Sequence, residues 1–260
     1  MTARPDLSIL PGGALSPLRF RGLGRVGDLD LNLDLPASDR PLAVTAVLAA
    51  CAEPSPGDEA IWALTLAARV GGLLGVWSEG AAADALELRL FCTVEGCGAD
   101  LEVALPVPAL MDLAREAEAA PVLKEGGLTL RRPTGADQRL WRGGPAGDPE
   151  EAILASLVSG APVPDEAWAR EALADKLAEF DPLPCFAVTL RCPDCDTEST
   201  LPVDLEAELL ARLARVQERL FTEVDTLAHR YGWSDDVILA MPARRRARYL
   251  RIAQEGEGWM

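Results

Sequence analysis

Leucine alternates with polar residues over positions 28–35, where the sequence is DLDLNLDL. This period-two pattern predicts a strand with one buried leucine face and one acidic, solvated face. A weaker alternation covers positions 16–21, and the glycine-rich stretch 22–27 separates the two runs. We therefore expect the chain to begin with an N-terminal β-hairpin.

Two helices are predicted after this hairpin, over about residues 41–53 and 58–75, and together these elements form an N-terminal segment, residues 1–83. The stretch 60–77 is nearly apolar, but Arg69 lies in its middle. A membrane span needs about 20 apolar residues, and a central arginine costs about 3 kcal/mol there. We expect a buried helix, or a helix and a strand, and no membrane span.

Two later segments share one design, in which an alternating strand leads into a turn with two cysteines and a second strand returns. The first covers residues 84–108, with Cys92 and Cys97 in its turn. The second covers residues 183–203, with Cys192 and Cys195 in its turn. The alternating apolar positions are Leu86, Leu88, Leu90, Leu101, Val103 and Leu105 in the first, and Phe186, Val188, Leu190, Leu201 and Val203 in the second.

An inserted mixed α/β segment, residues 109–182, separates the hairpins, with helices expected near 111–119 and after Asp165, and a strand at 128–132. A C-terminal helical arm, residues 204–260, follows them. Asp204 can cap a long helix there, and Gly232 suits the position just past its end. The predicted fold class is α+β, built around a central four-cysteine zinc ribbon.

Four cysteines in two turns indicate one zinc ion, because zinc binds four thiolates in a tetrahedron at about 2.3 Å. We expect this zinc to be structural. Two alternatives stay open: four reduced core cysteines, and a redox pair at Cys192 and Cys195, although a redox motif should open a helix. The remaining cysteines, Cys51 and Cys185, are expected to be small core residues.

The composition of the chain disfavours some classes of binding partner. The formal net charge of −16 disfavours nucleic acid and anionic membrane surfaces as partners. Hydrophobic residues make up 49% of the chain, enough for a sizeable core. The first residues lack the features of a signal peptide, so we expect a cytoplasmic protein whose cysteines are reduced.

Motifs for catalysis are weak. The glycines of 22–27 match a dinucleotide fingerprint as a string, but a strand is expected to follow where a helix is required. The acidic positions of 28–34 lack the glycine of a calcium loop. His229 is the only histidine, and no nucleophile motif accompanies it. We expect neither an enzyme nor a small-molecule substrate.

Five arginines cluster near the C-terminus of this acidic chain: Arg244, Arg245, Arg246, Arg248 and Arg251. One interpretation is a solvated helix end that complements the helix dipole and neighbouring acids. The other is a docking face for an acidic partner.

Three stretches resemble the baseplate-protein family of T-even-like phages, whose relatives occur in contractile injection systems. They are LTLRRPTGADQ (128–138), VTLRCPDC with TLPVDLEAELLARL (188–195 and 200–213), and EVDTLAHRYGWSDDVILAMPARRRARYLRI (223–252). The resemblance covers about residues 84–254. Asp225 stands where histidine is expected, Asp196 stands where the family pattern has glycine, and the first cysteine turn is longer.

The resemblance implies a non-catalytic role in building a baseplate hub or initiating a tail, with other baseplate, hub or tail proteins as partners and possible incorporation into the assembled particle. Aromatic and arginine side chains often dominate interfaces, so Trp233, Arg245, Arg248 and Tyr249 are candidate partner contacts. For the two aromatics, packing among the C-terminal helices is an equal alternative. Two further functions stay open: a zinc-ribbon adaptor in transcription or RNA handling, and a metal-dependent enzyme.

Overall fold

The computed structural model describes residues 18–257, except 82, 126, 145–147 and 161. The N-terminal third contains β1 (Arg19–Phe20), α1 (Arg40–Cys51), β2 (Ala52–Glu53), α2 (Asp58–Trp62) and α3 (Leu66–Ala81). The middle contains β3 (Ala85–Phe91), β4 (Asp100–Pro106), α4 (Val107–Ala119), β5 (Val122–Glu125), β6 (Leu128–Arg131), α5 (Gly135–Trp141), α6 (Pro149–Leu157), β7 (Val158–Ser159) and α7 (Ala167–Phe180). The remainder contains β8 (Ala187–Arg191), β9 (Glu198–Pro202), α8 (Leu205–Tyr231), α9 (Asp235–Leu239) and α10 (Ala243–Glu257).

The strands form small antiparallel sheets. β1 pairs with β2, β3 with β4, and β8 with β9, while β5, β6 and β7 form a sheet in that order. The helices supply most of the ordered chain, so the predicted α+β class is confirmed. Both cysteine-bearing hairpins are present as predicted, with Leu86 opposite Leu105 in the first and Val188 opposite Leu201 in the second.

The main hydrophobic core lies between α1, α3, α4 and α8, and the buried ends of the first hairpin join it. Val44, Leu73, Leu86 and Leu209 are fully buried there. A separate small core within the middle segment contains Leu130, Leu154 and Leu173. The two hairpins are therefore attached at their base to a helical body, while their cysteine turns belong to a third cluster.

The predicted N-terminal β-hairpin is wrong. β1 pairs with β2, which follows α1, and a short 3-10 helix occupies Val26–Asp28. Residues 29–35 pair with no strand among the described residues, although their leucines still pack against the core, alternating with exposed polar residues. The earliest part of the predicted first strand, positions 16 and 17, lies outside the described residues.

A side chain replaces the expected strand partner of this extended segment. The Nε2 of Gln217, in α8, donates to the carbonyl oxygens of Asp28 and Leu31 at 2.8 Å each. These bonds satisfy backbone groups that a neighbouring strand would otherwise satisfy. The period-two pattern thus identified the leucines that pack against the core, but not the hydrogen-bond partner of the segment.

Asp28 was expected on the solvated face but is fully buried. Its carboxylate accepts two hydrogen bonds from the Arg21 guanidinium, at 2.7 and 2.9 Å, and one from each of the Gly24 and Arg25 amides. Burial acts to raise the pKa of Asp28, but the bonds from Arg21 and the two amides outweigh it and lower that pKa. Asp28 is therefore ionised in the folded protein, and its carboxylate holds the glycine-rich loop through these hydrogen bonds.

The apolar stretch 60–77 is buried as predicted, but α2 and α3 divide it. The break at Thr65 forms a β-bridge with Thr134, which ties the N-terminal segment to the middle segment. Arg69 is fully buried in α3 and donates to the carbonyl oxygens of Ile61 and Pro41 and to the Thr45 hydroxyl. Burial lowers its pKa to about 10.

The long C-terminal helix α8 has the predicted ends. The Asp204 side chain accepts from the Ala207 amide at 2.9 Å, and Gly232 follows the helix in the left-handed conformation with φ of 65°. The 27 residues of α8 span about 40 Å at 1.5 Å per residue. No helix in the described part of the chain is long and apolar enough to cross a membrane.

Candidate metal centre

The two cysteine turns are built by the strands that flank them. In the first turn the Cys92 amide donates to the Ala99 carbonyl at 2.9 Å, directly beyond the pair Phe91–Asp100. In the second the Cys192 amide donates to the Thr197 carbonyl at 2.9 Å, directly beyond the last pair of its own hairpin. Each first cysteine therefore extends the ladder of its hairpin by one hydrogen bond.

The residue after each second cysteine has a left-handed backbone. Gly98 has φ of 64° and Asp196 has φ of 55°. This conformation turns the chain back toward the returning strand, and it suits glycine because other residues crowd their Cβ there. The longer first turn has a second such residue, Gly96, with φ of 79°.

The four sulfurs converge although the turns lie about a hundred positions apart in the chain. All four Sγ atoms lie within 4.8 Å of one another. Cys92 Sγ is 3.7 Å from Cys195 Sγ, and Cys97 Sγ is 3.7 Å from Cys192 Sγ. Four sulfurs at about 2.3 Å from one metal ion are about 3.8 Å apart in a regular tetrahedron, so the cluster can hold a metal ion.

Disulfide bonding does not explain this cluster. A disulfide requires about 2.05 Å between sulfurs, and all six cysteines are free thiols. The four thiols are also partly shielded from water, with Cys92 6% and Cys192 1% exposed. Leu101 and Leu201 are buried against them. This apolar surround reduces access to the sulfurs.

Backbone amides are directed at three of the sulfurs. The Val94, Ala99 and Thr197 amides hydrogen-bond to Cys92, Cys97 and Cys195, each two positions after its cysteine. The Thr197 hydroxyl donates to the Cys195 carbonyl oxygen at 3.3 Å. The Thr197 side chain and amide together lower the pKa of the Cys195 thiol to about 6. Thr197 was not singled out from the sequence, because its contribution depends on the turn geometry.

The neighbouring thiols oppose ionisation at Cys97 and at Cys92. The bond from the Ala99 amide acts to lower the pKa of Cys97, but burial and the neighbouring cysteines outweigh it and raise that pKa to about 12. The pKa of Cys92 is also raised, since burial and the neighbouring Cys195 and Cys192 outweigh the bond from Val94. A cation bound between the sulfurs would offset this effect and favour the thiolate form.

The other two cysteines differ from each other. Cys51 is fully buried in α1, as predicted, and burial raises its pKa to about 11. Cys185 precedes β8 and is exposed, so its predicted core position is wrong. Within the described residues, the four clustered cysteines are the only group of three or more possible metal ligands in such proximity.

The candidate partner residues lie at the far end of α8. Trp233 stacks on Tyr231 with ring centroids 4.5 Å apart, and Tyr249 of α10 meets the edges of both rings at 5.0 and 5.7 Å. Trp233 and Tyr249 thus pack α10 against the end of α8 and stay half-buried. Arg245 and Arg248 are exposed on α10.

Comparisons with protein-family models, with curated proteins and with solved structures found no match to this chain.

Proposed function

We propose that this chain is a non-enzymatic structural or assembly protein of the baseplate of a contractile phage-like tail or injection system. Its four clustered cysteines hold one structural zinc ion. The observation that carries the proposal is the four-sulfur cluster, which joins two hairpins about a hundred residues apart. The resemblance of residues 128–138, 188–195, 200–213 and 223–252 to baseplate proteins supplies the biological setting.

Zinc is the metal that this ligand set favours. Four thiolates in two β-turns suit a tetrahedral ion without redox chemistry. A single iron would fit the same sulfurs, but it would give the protein a visible colour, so the two metals are easily separated by absorption. Zinc held in this way closes a loop of 95 positions, which restricts the unfolded chain strongly.

A structural role follows from the ligand count. Four cysteines fill a tetrahedral shell and leave no open position for a substrate or an activated water. His229, the only histidine, is exposed on α8. The glycine-rich loop that matches a dinucleotide fingerprint forms a 3-10 helix of three residues, Val26–Asp28, and so lacks the long helix that such a site needs.

The zinc-bound hairpins would provide a rigid base for the arm. α8 begins three residues after β9, and its Arg212 donates to the Glu87 carbonyl of β3 and lies over the Trp77 ring at 5.3 Å. From this base α8 extends to the aromatic cluster formed by Tyr231, Trp233 and Tyr249. Such an arrangement presents a partner surface at a fixed distance from the metal.

The alternative of a transcription or RNA-handling adaptor is less well supported. Over residues 85–106 and 187–202 the two hairpins carry seven carboxylates and two arginines. Nucleic acid binding depends on neutralising phosphates with basic side chains. Both arginines already face carboxylates, Arg89 with Asp100 and Arg191 with Asp196.

Affinity purification from the native host tests the proposal, with mass spectrometry of the bound proteins and negative-stain imaging of the eluate. We expect sheath, tube, spike or baseplate proteins, and intact particles if the chain is a resident subunit. An eluate containing RNA polymerase subunits or nucleic acid without tail proteins would overturn the proposal in favour of the adaptor.

A further inference from the structure

Four arginines form an exposed row on α10, which we call the arginine ridge: Arg244, Arg245, Arg248 and Arg251. Arg244, Arg248 and Arg251 are separated by four and three residues, so they lie on one face of the helix. Arg245 lies three residues before Arg248 and so borders the same face. The opposite face is buried through Arg246 and Ala253. The ridge covers about 10 Å of helix length at 1.5 Å per residue.

The ridge lacks counter-ions within the described part of the chain. Among the side chains that the structure describes, no carboxylate lies within 4.0 Å of any ridge guanidinium. Arg246, on the buried face, differs because its Nε donates to Glu223 at 2.6 Å. Burial and the ion pair with Glu223 therefore explain the position of Arg246. No such contact among the described residues explains the ridge.

The helix dipole does not account for the ridge either. The sequence suggested a basic helix end that complements the dipole, but Arg244, Arg245 and Arg246 lie in the first turn of α10. The N-terminal end of a helix carries a partial positive charge, and cations there are unfavourable. The first turn has no acidic residue. Arg244 and Arg245 of the ridge thus occupy positions where their charges oppose the stability of their own helix.

A polar protein segment with clustered carboxylates is the partner chemistry that fits best. Guanidinium groups bind carboxylates through two parallel hydrogen bonds. Ile252 is 45% exposed beside the ridge and offers apolar contact. A nucleic acid is a poorer fit, because the chain carries a net charge of −16 and the exposed Asp235 and Asp236 precede the ridge by about ten positions.

We propose that the arginine ridge docks a short acidic segment of a partner protein, in which carboxylates are spaced one helical turn apart. The identification of that partner as a tail protein rests on the proposed function, but the docking chemistry does not. If tail proteins co-purify but the acidic peptide does not bind, the proposed function stands and the docking role of the ridge is rejected. If the peptide binds but no tail proteins co-purify, the docking role of the ridge stands and the proposed function is rejected.

Fluorescence polarisation with the full chain tests the proposal. The probe is a labelled helical peptide of about 15 residues, with glutamates at positions i, i+4 and i+7 and alanines between them. The variant carries Arg245→Glu and Arg248→Glu. The matched control carries Arg215→Glu and Arg219→Glu, which make the same charge change on exposed positions of α8. An oligothymidine of similar charge serves as the second probe.

We expect the ridge variant to bind the peptide at least about tenfold more weakly and the control within about twofold of the native chain. Binding should weaken as salt is raised, because exposed charges are screened. Equal losses in both variants, no loss in either, or tighter binding of oligothymidine would overturn the proposal. If the charge-reversed ridge variant fails to fold, Arg245→Gln with Arg248→Gln removes the charge without adding repulsion and carries the same expectation.

Discussion

Gly98 and Asp196 occupy equivalent positions, each directly after the second cysteine of its turn, and both have a left-handed backbone, with φ of 64° and 55°. Glycine adopts this conformation freely, whereas a residue with a Cβ is strained by about 1–2 kcal/mol. Aspartate tolerates it better than most residues because its short side chain can bond locally. The second turn therefore carries a local strain that the first avoids.

Replacing Asp196 by glycine should stabilise the protein by about 0.5–1 kcal/mol. The substitution removes the contact of Asp196 with Arg191 at 3.3 Å, but both side chains are exposed and such pairs contribute little. Thermal melting with metal bound should show a rise of about 1–4 °C. The converse change, Gly98→Ala, has open space around the added methyl and should destabilise by about 1 kcal/mol. A lower melting temperature for Asp196→Gly would contradict the claim that the backbone at Asp196 is strained.

Asp28→Asn should destabilise the protein by about 3 kcal/mol, because it breaks a buried ion pair and leaves Arg21 without its charge partner. The melting temperature should fall by roughly 6–12 °C. Asp34→Asn is the matched control, since Asp34 lies in the same segment but is exposed. Equal effects of the two substitutions would contradict the buried role of Asp28.

The same residue predicts a pH dependence. The folded-state pKa of Asp28 is lowered below its unfolded value of about 3.9. Its stabilising contribution is therefore complete above that value and is lost as pH falls through the folded pKa. The difference in melting temperature between the native chain and Asp28→Asn should be constant at neutral pH and shrink below about pH 4. A difference that grows on acidification would contradict this assignment.

Gly135→Ala should destabilise the protein, although alanine is the better helix former. A Cβ at Gly135 would lie 2.5 Å from Nη1 and 2.8 Å from Cζ of Arg69. Arg69 cannot move away because three acceptors hold it, so we expect a loss of about 1–3 kcal/mol in urea unfolding. Gly143→Ala, whose nearest contact would be 3.6 Å, is the control and should be nearly neutral. A stabilised Gly135→Ala variant would show that this site has room.

Cys195→Ser should abolish tight metal binding and lower the melting temperature by more than about 10 °C, since structural zinc supplies binding energy comparable to the stability of a whole domain. Cys185→Ser removes an exposed thiol outside the cluster and should leave both properties unchanged. Differential scanning calorimetry together with metal analysis measures both effects. An unchanged metal content in Cys195→Ser would show that the cluster is not the site.

The secondary structure could be predicted from the sequence where neighbouring residues alone determine it. The two cysteine hairpins and both ends of α8 were predicted because strand alternation, an aspartate cap and a glycine stop act locally. The prediction failed at residues 28–35, where the same alternation is compatible with any buried extended segment. The actual hydrogen-bond partner is Gln217, about 186 positions away, and no local pattern contains that information.

Side-chain burial at isolated polar positions was also not predictable. Asp28 and Arg69 are both fully buried, but their partners come from other elements: Arg21 for Asp28, and α1 and α2 for Arg69. The four clustered cysteines could be chosen from their spacing and from the alternating strands that flank them. The roles of Thr197 and of the turn amides required the folded geometry.

The most direct test of the proposed zinc ribbon is metal analysis of the purified native chain combined with X-ray absorption at the zinc edge. We predict one zinc ion per chain, surrounded by four sulfur atoms at about 2.3 Å. Iron in place of zinc, nitrogen or oxygen in the first coordination shell, or a chain that remains folded with essentially no metal would contradict a structural zinc centre.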